Sequence, residues 1–395
     1  MFECKVYPQL SPSDRESVLD FLSRSFGMNY SDGRALFDFV LNYRPGLQFI
    51  IAKEQGKEIV GVLGLVDREF NYFGVPLKLA GLSMIAVHPK IRDFSVATAL
   101  KERMFDYIDK NAALCIGISR KKVDGYWYPY GFTGFTNFGQ LTVDTAVFPR
   151  DESDTHINLL ESHHIPRVQE LFELTYQNVL GALNRSETLW NYYLKNAQRM
   201  NLSSYVFEND DDVVGYVFKK DNVIYEFGFK DAYAMELLSL FHSTHPGPLA
   251  SSGDVHFELG LCHPLCFYLR EMPHKISTRH VWNGGHIVRI TSLIDFLGLI
   301  GPVLELRLKR SLVKDFELEV GDVHFSFARE KLKVLLRPGE QQKEAGFLSV
   351  HDWQKMIFGV VSAEQILALK DFLNKEILNI MFPVVSPQIP LIDEL

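Results

Sequence analysis

Residues 84–97 read Met84-Ile85-Ala86-Val87-His88-Pro89-Lys90-Ile91-Arg92-Asp93-Phe94-Ser95-Val96-Ala97, an apolar run closed by His-Pro and followed by a polar loop. The loop passes into a helical pattern in which Ala97, Leu100, Met104 and Ile108 share one face. A strand that hands over to a helix through a short loop presents the first amides of that helix. These have no partner within the helix and stand at the positive end of its dipole. Such a junction suits an anionic group, a pyrophosphate above all.

Upstream, Ser11-Pro12-Ser13-Asp14 forms a capping box with proline at the first helical position, ahead of an apolar face of Val18, Leu22 and Phe26. A second helical stretch covers residues 33–43. Residues 47–53 and 58–70 read as strands about the turn Glu54-Gln55-Gly56-Lys57, and Asn71-Tyr72-Phe73-Gly74 turns the chain into a third strand over 76–87. Beyond the helix, the apolar run 114–119 predicts a buried strand. Two helices, three strands in a meander, a crossover helix and a further strand give an α/β layer whose sheet becomes parallel at the crossover.

A weaker echo of this order begins near His156. Pro166 opens a helix with Val168, Phe172, Thr175 and Val179 aligned, a second helix covers 186–199, and Val213-Val214-Gly215-Tyr216 answers Ile59-Val60-Gly61-Val62. The second copy passes from Phe229 through Lys230-Asp231 straight into a helix over 232–242, with no glycine- or arginine-bearing loop, so it predicts a structural partner only. After about residue 304, the runs 316–320, 323–328 and 331–337 alternate as antiparallel strands, and 349–358 and 362–374 close as helices. The boundaries predicted are 1–150, 151–303 and 304–395.

Forty-one basic against 49 acidic residues give a net charge of −8, which argues against a nucleic-acid partner and suits a cationic small molecule. The start, MFECKVYPQL, has no secretory pattern, and the apolar stretch 290–306 is broken by Asp295, Gly298, Gly301 and Pro302, so a cytoplasmic protein without a membrane partner is expected. Cys4, Cys115, Cys262 and Cys266 are too few and too unevenly spaced for a disulfide framework. Cys262-His263-Pro264-Leu265-Cys266 lacks a second ligand pair, and no metal is expected.

The strand ending in Val-x-Pro, with Arg92 three residues after the proline and Ala97 in the helix opening, resembles the acyl-coenzyme A motif of the GNAT superfamily of N-acetyltransferases. Tyr130-Gly131-Phe132-Thr133-Gly134-Phe135 is similar to the Tyr-Gly-x-x-Gly-aromatic signature of its "enhanced intracellular survival" (Eis) type. That resemblance implies an α/β (α+β) fold of tandem GNAT-like mixed sheets with flanking helices, plus a small sterol-carrier-like C-terminal α+β domain. It implies acetyl-CoA as co-substrate, a primary amine on a small cation or a lysine side chain as acceptor, and a homo-oligomer.

The resemblance also implies the site. Tyr130 is the acid that protonates the departing thiolate, in preference to a frame starting at Trp127 that supplies no acid. The C-terminal carboxylate of Leu395 is the base, with Glu394 and Asp32 facing the acceptor. Ile85, Ala86 and Val87 carry the amides that polarise the acetyl carbonyl. Arg92, Asp93, Phe94, Ser95, Val96, Ala97 and Thr98 form the phosphate loop, and Gly125 and Tyr126 lie near the cofactor by position. The alternative is a non-catalytic ligand-binding protein on the same scaffold, or an apolar-ligand carrier using the C-terminal domain. The chain carries none of the nucleotide-binding Gly-Lys, Gly-x-Ser-x-Gly or His-Glu-x-x-His signatures.

Overall fold

The computed structural model describes residues 2–54, 58–91, 94–120, 124–135, 137–150, 154–242, 247–250, 253–280, 284–320, 322–336, 348–366, 372–385, 387, 389–390 and 393. The chain enters on an edge strand not foreseen from sequence, β1 (Phe2–Tyr7), which pairs antiparallel with β2 (Leu47–Glu54). Between them lie α1 (Pro12–Ser25), where Ser11 Oγ accepts from the Asp14 amide at 3.1 Å, and α2 (Tyr30–Tyr43), capped by Asn29. The meander continues through β3 (Glu58–Tyr72) and β4 (Val75–Val87), then α3 (Ser95–Asn111) crosses to β5 (Leu114–Arg120), which pairs parallel with β4.

Val96, Leu100, Met104 and Ile108 of α3 bury against Ile50, Leu63, Leu82 and Cys115 of the sheet. Each such side chain contributes about 1.5–3 kcal/mol. Gly61 lets the helix come this close, since a Cβ there would meet Val96 Cγ1 at 2.6 Å and Leu100 Cδ1 at 2.9 Å.

A short helix, α4 (Asp124–Trp127), precedes β6 (Thr133–Gly134) and β7 (Asn137–Asp144). The second copy then comprises β8 (His156–Leu159), α5 (Ile165–Tyr176), α6 (Glu187–Arg199), β9 (Ser203–Asn209), β10 (Asp212–Lys220), β11 (Val223–Phe229), α7 (Ala234–Ser239), β12 (Asp254–Phe257), α8 (Leu265–Arg270), β13 (His274–His280) and β14 (Gly284–Ile290). The duplication is physical as well as textual. At Gly215, the counterpart of Gly61, a Cβ would meet Leu237 of α7 at 2.7 Å, so both glycines admit a crossover helix.

The first sheet runs β1-β2-β3-β4-β5-β14-β6 and the second β13-β7-β12-β11-β10-β9-β8. The two halves therefore exchange a strand. β7 follows β6 in sequence yet pairs with β12 and β13, while β14 returns to pair with β5 and β6. The sheets do not divide at residue 150, because apolar alternation marks a strand without saying which sheet receives it.

The last part opens with α9 (Leu293–Leu299) and α10 (Gly301–Arg310), the latter running through the boundary drawn at 303. An antiparallel sheet of β15 (Phe316–Val320), β16 (Val323–Ala328) and β17 (Lys331–Leu336) follows, then α11 (Val350–Ile357), α12 (Ala363–Ile366) and α13 (Phe372–Met381). Of the helix predicted over 362–374, residues 363–366 and 372–374 are helical, in α12 and α13, and 367–371 lie outside the described residues. This part shares one core with the first sheet: Phe325, Trp353, Phe358 and Met381 pack with Phe70, Tyr72 and Phe135. No helix among the described residues is long and apolar enough to cross a membrane.

Candidate active site

β4 and β5 pair only over Leu79–Gly81 with Leu114–Ile116. Beyond, they run on to Val87 and Arg120 without pairing to each other among the described residues, and Ile85 and Ile118 are 40% and 42% exposed. β4 also bulges here. Val62 pairs with Ala86 and Gly64 with Ser83, so Met84 and Ile85 together face Leu63, and Met84 adopts φ 50°. A bulge leaves the extra residue out of the ladder. A left-handed backbone at a non-glycine residue costs about 1–3 kcal/mol and persists where surrounding structure pins it; here β3 does so on both sides. The stretch 85–87 thus has a main chain partly released from pairing at the mouth of the gap between β4 and β5.

Across the following loop, α3 begins at Ser95 with no side-chain cap, since Phe94 occupies the N-cap position. Phe94 is 76% exposed, its ring outside the core. Val96 is buried against the sheet, Ala97 half-buried, Ser95 and Thr98 exposed, and the Thr98 amide donates to the Phe94 carbonyl at 2.8 Å. Arg92 and Asp93 lie outside the described residues. An uncapped start to a 17-residue helix fits a pyrophosphate group.

Tyr130 ends a single 3-10 turn, Tyr128–Tyr130, that follows α4 and is closed by Gly131 at φ 83°. That left-handed step is the reason for glycine in the motif. Trp127 is buried on Phe132, ring centroids 5.2 Å apart, whereas Tyr126 and Tyr130 are 38% and 37% exposed. Gly125 is exposed with open space at its Cβ. The Tyr130 Oη accepts from Lys101 Nζ at 2.5 Å, and the Tyr130 ring packs on Phe105 at 5.7 Å and Tyr126 at 5.9 Å.

The loop is held from beneath by α11. The fully buried Gln354 donates through Nε2 to the Gly131 carbonyl at 2.8 Å and to Thr133 Oγ1 at 2.9 Å, and its Oε1 accepts from the Ile290 amide at 2.7 Å. His351 Nδ1 lies 2.8 Å from Thr133 Oγ1, and its ring stacks on Tyr128 at 3.6 Å. Sequence reading missed Met84, Lys101, His351 and Gln354. Lys101 did leave a signal: four residues after Ala97 and three before Met104, it puts a charge in an apolar stripe.

Asp32 is exposed in the first turn of α2, where its amide donates to Asn29 Oδ1 at 2.8 Å and its carboxylate accepts from Asn29 Nδ2; these contacts give it a capping task. Glu394 and Leu395 lie outside the described residues. Asp393, beside them, is buried in the second half, where Arg185 donates to it from Nε at 2.9 Å and Nη2 at 2.7 Å. The same guanidinium donates twice to Glu226 at 2.7 Å and lies over the rings of Phe172, Trp190 and Tyr193 at 4.0, 4.6 and 4.9 Å. Burial raises the Glu226 carboxyl above the usual range against the pull of Arg185.

His263 uses both ring nitrogens on backbone: Nε2 meets the Phe227 carbonyl at 2.9 Å and Nδ1 accepts from the Leu265 amide at 3.2 Å. A cavity of about 620 Å³ between the two halves is lined by Asp67, Arg68, Glu69, Glu173 and Arg185 among others, but neither by Tyr130 nor by 85–87.

Residues 7–132 match the acetyltransferase (GNAT) domain family. No curated protein sequence shows significant similarity. In fold, the chain is similar to a conserved protein of unknown function and probable N-acyltransferase from Enterococcus faecalis V583 (14% identity, 99% of each chain, TM-score 0.71). It is equally similar to a GCN5-related N-acetyltransferase from Anabaena variabilis (14%, 98% of this chain and 99% of that one, TM-score 0.71). Eis1 from Mycobacterium abscessus also shares the fold (15%, 98% and 99%, TM-score 0.64). The matched segment contains the bulged strand, the uncapped helix start and Tyr130, so residues 7–132 are similar to a GNAT acetyltransferase domain and the whole chain shares the fold of these structures.

Proposed function

We propose that this chain moves an acetyl group from acetyl-CoA to a primary amine, on a small cationic molecule or a lysine side chain, with an Eis-type arrangement of its site. The observation that carries the reading is the Met84 bulge just past the end of β4–β5 pairing, together with α3, whose uncapped start follows that strand and on whose Lys101 and Phe105 the Tyr130 turn packs. Amides from 85–87 polarise the acetyl carbonyl, the first turn of α3 with residues 92–98 takes the pyrophosphate, and Gly125 and Tyr126 flank the donor. Tyr130 gives its proton to the departing thiolate.

The base is the Leu395 carboxylate, with Glu394 toward the acceptor ammonium. The support is Asp393, fixed at Arg185 two residues before Leu395. Asp32, on the exposed start of α2, belongs to the same proposal as an acceptor contact. The sterol-carrier-like reading of residues 304–395 is supported by a small antiparallel sheet with helices that closes the molecule; in this reading that part serves as structure for the site.

The test is thiol release from acetyl-CoA with a polyamine, an aminoglycoside and a lysine peptide. Tyr130→Phe is expected to lower turnover by about 100-fold or more, the usual scale of a general acid, and extension of the chain past Leu395 is expected to lower it similarly. Native-like turnover in both altered proteins would overturn the assignment of acid and base.

A further inference from the structure

Lys101 stands in the apolar stripe of α3 that packs on the sheet, yet its ammonium is not paired with any carboxylate among the described contacts. It is 8% exposed. Its Nζ donates to the Tyr130 oxygen at 2.5 Å and lies 3.9 Å from the Tyr130 ring centroid and 4.7 Å from that of Tyr126. A buried ammonium without an acid is costly; here two aromatic rings and their phenol oxygens offset that cost, and negative charge developing beside it would be held strongly.

That charge has one evident source. When Tyr130 gives up its proton, the oxygen left behind is a phenolate within hydrogen-bond distance of a fixed cation. Burial opposes the charge on Lys101, but its bonds to the Tyr130 and Tyr126 oxygens outweigh this and raise its proton affinity, so the ammonium persists at neutral pH.

We propose that Lys101 is a positioning residue for Tyr130: it fixes the phenol oxygen against α3 and holds the phenolate that remains after proton transfer. The inference rests on the acid role given to Tyr130 above. In the step concerned, the amine nitrogen forms its bond to the acetyl carbon, the carbon–sulfur bond breaks, and the thiolate takes the phenolic proton. The amine's surplus proton goes to the base, and the phenolate, paired with Lys101, is reprotonated from solvent. Lys101 itself neither gains nor loses a proton. A charged partner already in place stabilises such a change without reorganisation.

The experiment is a double-mutant cycle on the full chain, using Lys101→Met, Lys101→Arg, Tyr130→Phe and Lys101→Met/Tyr130→Phe. Turnover and the KM for acetyl-CoA are measured with the best acceptor of the panel, and the slow release of thiol to water from acetyl-CoA alone gives the same reading without an acceptor. Lys101→Met is expected to lower kcat at least about 10-fold with KM changed less than about 3-fold, and Lys101→Arg to recover most of the loss. In the Tyr130→Phe background the further effect of Lys101→Met is expected to be under about 2-fold, because the phenolate it serves is gone.

Equal losses from Lys101→Met in both backgrounds mean that the lysine merely supports the fold, and the inference fails. A costly Tyr130→Phe with a neutral Lys101→Met overturns the role of Lys101 alone. Native-like turnover in Tyr130→Phe, or no thiol release by the native protein in either assay, overturns the acid assignment and this inference with it.

Discussion

His263 is a histidine whose two nitrogens are fully occupied by backbone, one donating and one accepting, so a second proton has no place to go without breaking the bond from the Leu265 amide. Burial holds its imidazole down at about 3, against the ordinary 6.5. The unfolded chain therefore binds a proton below pH 6.5 that the folded chain refuses. The resulting contribution to stability is complete above pH 6.5 and is withdrawn as pH falls from 6.5 toward 3. Between pH 6.5 and 5 the withdrawal amounts to about 2 kcal/mol. Urea unfolding at pH 7 and pH 5 is expected to show a pH dependence smaller by that amount in His263→Gln than in the native chain; equal slopes would show that another group carries it. The Cys262–Cys266 cluster thus centres on a structural histidine.

At the scale of elements, the Tyr130 turn owes its place to a helix more than two hundred residues later. Gln354→Ala removes partners from the Ile290 amide, the Gly131 carbonyl and Thr133 together, and is expected to destabilise the fold by about 1–3 kcal/mol in a denaturant titration. Under the acid role proposed for Tyr130, it is also expected to lower kcat more than it raises the KM for acetyl-CoA, since the turn that carries Tyr130 loses its prop. An unchanged kcat would show that the turn holds its own shape.

Much of this level was legible in the sequence. Ser11, Ser186 and Ser349 each cap a helix where the pattern put one, β2–β5 fall within a few residues of their predicted bounds, and α3 takes in the whole predicted face from Ala97 to Ile108. What escaped shares a cause. The Met84 bulge has no residue signature, because methionine does not announce a left-handed backbone as glycine does. Gln354 meets Gly131 through tertiary packing that no local period records, and β7 and β14 look like any other strands until their partners are known.

For the whole molecule, the three parts are bound together by polar as well as apolar contacts. The Arg185 guanidinium, between Glu226 and Asp393, ties the end of the chain to the second half with all three side chains fully buried. Arg185→Met leaves two buried carboxylates without their cation and is expected to cost about 3–5 kcal/mol of unfolding free energy, whereas Asp393→Asn, which keeps the Glu226 pair, costs less. Carboxypeptidase release of the last residues, timed by mass spectrometry, is expected to be faster in Arg185→Met than in the native protein. The same rate in both would mean that packing alone holds the tail.

The strand traded between the two sheets also orders events during synthesis. On the ribosome, a nascent chain that has reached residue 150 holds the bulged strand, α3 and the Tyr130 turn but lacks β14, the neighbour of β5, and the Gln354 prop arrives later still. A product stopped before these segments leaves β5 without its antiparallel neighbour and the Gly131 turn without its prop, so it is expected to misfold at that end of the first sheet.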